Sequence, residues 1–80
     1  MRKLDYWTEE IAAQIRQYDP HAHIDITRNT YEGEDAYVIV ETIKNVGEVM
    51  DIARKAQNDA MDDGYFIPVL PTKMKTAVGM

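Results

Sequence analysis

Ala36-Tyr37-Val38-Ile39-Val40-Glu41-Thr42-Ile43 is the run whose reading decides the fold. It is rich in β-branched and aromatic residues, which suit a pleated and at least half-buried surface, so it predicts a strand. Side chains alternate along a strand, which places Ala36, Val38 and Val40 on one face and Tyr37, Ile39 and Ile43 on the other, interrupted by Glu41. One covered face does not account for a strand that is apolar on both.

Just upstream, Asn29-Thr30-Tyr31-Glu32-Gly33-Glu34 reads as a polar turn in which Gly33 can take positive φ. Before it the period is also two, with Ala22, Ile24 and Ile26 on one face and His21, His23, Asp25 and Thr27 on the other. The two strands therefore predict an antiparallel hairpin. Further back, Leu4, Trp7, Ile11, Ile15 and Tyr18 recur at spacings of three and four, the stripe of an amphipathic helix that Asp5 caps and Asp19-Pro20 stops.

Downstream, Asn45 and Glu48 form a capping-box pattern ahead of the stripe Val49, Ile52, Ala53, Ala56 and Ala60, which predicts a second helix over about 46 to 63. Gly64 fits the left-handed position after it, and Tyr65 to Leu70 reads as a third strand, placed at an edge because Pro68 cannot donate to a ladder. The expected architecture is α+β in the order α-β-β-α-β, with two helices packed on one face of a three-stranded mixed or antiparallel sheet. A right-handed crossover makes the third strand parallel to the second, and sheet order 2-1-3 is expected because it keeps immediate neighbours antiparallel. The domain spans 1–71, and 72–80 reads as a flexible tail without periodic pattern.

Composition narrows the function classes. A chain of 80 residues buries only roughly 60% of its unfolded surface, enough for one core and not two. With 45% hydrophobic and 29% charged residues it has the balance of a folded domain. It has no cysteine, which rules out disulfides, thiolate metal sites and thiol nucleophiles, and no serine, which rules out serine-hydrolase chemistry. A net charge of −5 opposes nucleic-acid binding, although Arg54-Lys55 and Lys73-Met74-Lys75 are local basic spots. No apolar run approaches the ~20 residues of a membrane span, and a cytoplasmic location is expected.

Two clusters offer chemistry. His21, His23 and Asp25 alternate on one strand face, a set of imidazoles and a carboxylate able to ligate zinc; the plainer reading is the polar side of a half-buried strand. Asp59, Asp62 and Asp63 crowd a helix C-terminus, where the dipole disfavours them, so a cation or basic partner would relieve them; the plainer reading is a solvated helix end. There is no nucleophile elbow and no Gly-rich phosphate loop. The run 35–41, the second helix and Gly64 to Pro71 resemble the later half of small nucleotidyltransferases in element order. Where that family carries a Gly-Ser turn and paired aspartates, this chain has Asn29-Thr30-Tyr31 and Ala36-Tyr37-Val38.

The expectation is a non-catalytic interaction domain without a cofactor, self-associating or binding a protein partner through Tyr37, Ile39 and Ile43, unless the tail with Met74, Ala77 and Val78 covers that face. The alternative is a small metal-dependent or nucleotide-handling enzyme using His21, His23 and Asp25.

Overall fold

The apolar stripe at the start forms α1 (Leu4–Tyr18), which buries Ile11, Ala12 and Ile15. A computed structural model of the chain describes residues 2–74. The helix begins one residue before Asp5, so its N-cap is Lys3, without a side-chain cap bond, and Asp5 lies in the first turn with its carboxylate paired to Arg28. Asp19 closes the helix: its N–H donates to Ile15 C=O at 2.9 Å, and its own C=O and carboxylate accept the N–H groups of Ala22 and His21. That turn delays β1, which covers His23–Thr27 and leaves His21 outside the strand.

β2 covers Tyr37–Thr42 and pairs antiparallel with β1, setting Ile24 opposite Val40 and Ile26 opposite Val38. α2 follows as Val46–Asp62, capped as expected by the Asn45 carboxamide, which accepts from Glu48 N–H at 3.0 Å. Glu48 does not complete a reciprocal capping box; its side chain accepts instead from the Tyr18 hydroxyl at 2.5 Å. Gly64 takes φ of +94°, the left-handed conformation open to glycine. The buried stripe of α2 is Val49, Ala53, Ala56 and Ala60, small residues that let the two helices approach closely.

The last strand differs from the expected Tyr65 to Leu70. β3 covers Val69–Lys73, because the segment before it satisfies its backbone otherwise. Phe66 N–H donates to the Asp35 carboxylate, Phe66 C=O accepts from Asp35 N–H, and Ile67 C=O accepts from the Gln57 side chain. Ile67 itself plugs the core at 2% exposure. The ladder then opens with Val38 N–H donating to Pro68 C=O at 3.0 Å.

The sheet is mixed and its order is β1-β2-β3. β3 is parallel to β2, the direction a right-handed crossover requires, but it lies beside β2 and not beside β1, which corrects the order 2-1-3. The reason lies in β2: Val38, Val40 and Thr42 are fully buried, and a strand buried to that extent on its core face belongs in the centre. Both helices cover the face carrying Val38 and Val40, where Ile11, Ile15, Val49, Ala53, Ile67 and Val69 close the core. They lie mainly over β2 and β3, and Ile24 and Ile26 of β1 remain half-buried. Met74 N–H continues past β3 to Thr42 C=O at 2.7 Å. Of the segment 72–80, residues 75–80, with Ala77 and Val78, lie outside the described residues.

Candidate functional site

The sheet face turned away from the helices carries rows set by register: Thr27 beside Tyr37, then Asp25, Ile39 and Leu70, then His23, Glu41 and Thr72. Its first end is apolar and its second polar. A concavity of about 520 Å³ opens over the apolar end, walled by Asp25, Thr27, Asn29, Tyr31, Tyr37, Ile39 and Leu70.

Tyr37, expected to face outward, is largely closed off within the monomer. The 28–36 loop folds back so that Tyr31 stacks at 6.2 Å between ring centroids, tilted by 34°, and Tyr31 N–H donates to the Tyr37 hydroxyl at 3.3 Å. Burial, with Glu34 nearby, raises the Tyr37 hydroxyl pKa above the ordinary tyrosine value. Glu34 is held below the usual carboxylate range by backbone N–H groups, Glu32 first, and this bond helps fix the loop. Tyr31 becomes the outward ring at 89% exposure. Ile39 is half-buried, Ile43 is 52% exposed just past the end of β2, and Leu70 is 43% exposed on β3. Leu70 and Tyr31 were not singled out from sequence. With the third strand in its true register, parity would have placed Leu70 beside Ile39.

His23 and Asp25 come together at 3.3 Å, both well exposed, whereas His21 sits in the turn ahead of the strand. No group of three or more His, Cys, Asp or Glu side chains arranged to hold a metal occurs among the described residues.

The three carboxylates of α2 have separate surroundings. Asp63 accepts from Arg2 N–H at 2.7 Å and from the Trp7 indole N–H at 2.9 Å, tying the end of α2 to the start of α1; those bonds, the first foremost, hold its pKa below the usual range. Asp59 pairs with Lys55 at 3.2 Å, and Asp62 is exposed. A smaller hollow of about 250 Å³ between the helices includes Glu10, Gln14, Lys55 and Asp59, whose side chains already bond to one another in pairs.

The pairing of Asp19, read from sequence only as the end of α1, with Thr42 is a further feature of the core. The Thr42 hydroxyl donates to the Asp19 carboxylate at 2.6 Å in the core, and this bond foremost depresses the Asp19 pKa. Thr42 shares the parity of Val38 and Val40, which was the available signal that its hydroxyl would need a buried partner.

The chain matches no family model, no curated protein and no solved structure. The likeness in element order to small nucleotidyltransferases therefore gains no support from outside the chain. No helix among the described residues is long and apolar enough to cross a membrane.

Proposed function

We propose that this chain is a non-catalytic interaction domain that associates with itself through the open face of its sheet. The observation that carries the reading is the end of that face where Ile39, Leu70 and Tyr31 surround an open concavity, with a further exposed apolar side chain, Ile43, past the other end of β2. Apolar groups clustered on one face mark protein contacts more often than the same groups scattered singly. A second copy suits the face because it presents hydrogen-bond donors and acceptors side by side, with His23 beside Asp25 and Glu41, so that a partner of the same composition can match it. Full burial contributes about 1.5 to 3 kcal/mol per large apolar side chain before association costs, useful to a domain with a small core. Glu41 is exposed and takes a rim position beside the apolar end.

Light scattering tests the reading. The mass of the wild-type chain should exceed the 9.2 kDa of one copy, and Ile39→Asp should lower it by about half. A wild-type protein that stays at one copy at millimolar concentration, or an assembly indifferent to Ile39→Asp, would overturn it.

A further inference from the structure

The two edges of the sheet are unlike. β3 carries Pro71, which has no N–H to offer, and Lys73, two of the devices by which edge strands resist pairing. β1 consists of His23-Ile24-Asp25-Ile26-Thr27, with neither proline nor lysine, and beyond it no further strand lies among the described residues. Its core-facing residues Ile24 and Ile26 are half-buried because the helices sit mainly over the other two strands. An unprotected edge and incomplete cover thus fall on the same strand.

We propose that a second copy of the chain pairs antiparallel with β1 about a two-fold axis passing through Ile24. Side-chain hydrogen bonding selects this register. Two identical strands sharing one sheet, with their helices on the same side, must set residues of equal parity opposite each other. An axis through His23 or Asp25 sets that residue against itself, and an axis through Ile26 pairs Asp25 with Thr27. An axis through Ile24 places His23 of each copy opposite Asp25 of the other, two imidazole–carboxylate pairs on the open face, where these side chains are exposed and already adjacent within one chain. On the core face the same axis sets Ile24 against Ile24 and Ile26 against Ala22, which completes the cover both isoleucines lack. Glu41, beside His23 on β2, adds a carboxylate facing each imidazole. The result is a six-stranded sheet with all four helices on one side. It goes beyond the proposed function because it uses an edge and not the open face.

The test is complementation between two surface variants. In His23→Glu, the introduced carboxylate faces Asp25 of the second copy; in Asp25→Lys, the introduced ammonium faces His23. Each variant alone should dimerise about tenfold more weakly or worse, by sedimentation velocity across a concentration series, with unchanged far-UV circular dichroism. Mixed one to one they should restore wild-type assembly, since in the mixed pair each new charge meets the other and the remaining Asp25 meets the remaining His23. Single variants that associate like wild type, or a mixture no stronger than its components, would overturn the proposal. Ile39→Asp separates the two readings: assembly lost there but unaffected by the edge variants leaves the open-face contact standing alone, and the reverse pattern leaves the edge.

Discussion

If β2 is the central strand, a smaller deletion there should cost more than a larger one in β1. Val40→Ala removes two carbons from a side chain that is fully buried between Ile24 on one side and Pro71 on the other, beneath the helices. At about 0.8 kcal/mol per buried methylene, with a further cost for a cavity that packed neighbours cannot fill, the loss should be about 2 to 3 kcal/mol. Ile24→Ala removes three carbons from a half-buried side chain at an open edge, so roughly half the transfer free energy is at stake and no closed cavity forms; about 1 kcal/mol is expected. For a domain of this size each kcal/mol shifts Tm by about 4 to 8 °C, so the two variants should separate clearly in thermal melts and in urea midpoints with unchanged slope. The measurement belongs at low micromolar concentration. If a second copy covers β1, the cost of Ile24→Ala should grow as concentration rises, while that of Val40→Ala should not. The order 2-1-3 requires the opposite ranking, with Ile24 central and Val40 at an edge. An Ile24→Ala cost equal to or above that of Val40→Ala at low concentration would refute the described topology.

Two further outcomes follow from local geometry. Gly64→Ala should destabilise by about 1 kcal/mol, because φ of +94° is strained for any side chain although nothing lies within 4 Å of the added carbon; an unchanged urea midpoint would mean that the turn relaxes at no cost. Asp63 has a folded pKa depressed by the N–H groups of Arg2 and Trp7, so its stabilising effect is present above the unfolded carboxylate value of about 3.9 and is lost as pH falls through the lower folded value. Asp63→Asn should therefore be less stable than wild type at pH 7, with a gap that closes on acidification and a shift in Trp7 fluorescence; a gap independent of pH would contradict the assignment.

Much of this arrangement is legible in the sequence. The stripes of α1 and α2, the Asn45 cap, the left-handed Gly64 and the parity of the hairpin all rest on local rules, and local rules act within one element. Asp5 went astray only because a helix boundary moved by one residue. The third strand was displaced for a less local reason. Tyr65 to Pro68 looked like a strand by composition, yet Asp35 and Gln57, from a loop and a helix distant in sequence, take over the hydrogen bonds of Phe66 and Ile67, and pairing starts only where Pro68 C=O meets Val38. No window of sequence contains those partners.

The sheet order turns on how the apolar character of β2 is explained. The two apolar faces of β2 were attributed to a covered face plus an interface, but a strand is also buried more deeply by having neighbours on both sides, as parallel strands in the middle of a sheet are. Tyr37 separates the two explanations. It was expected to await a partner, and its own loop covers it instead, with Tyr31 brought back over the ring and hydrogen-bonded to its hydroxyl. The surplus apolar character of β2 is therefore divided: Val38 and Val40 report its central position, Tyr37 is closed off by its own loop, and Ile39, with Leu70 beside it, stays partly open along with Ile43 beyond the strand end. The same centrality leaves β1 at an edge with Ile24 and Ile26 half-covered, so the unfinished surfaces of this chain lie along the sheet's open face and its first edge, and none of the three acidic residues at the end of α2 is needed to explain them.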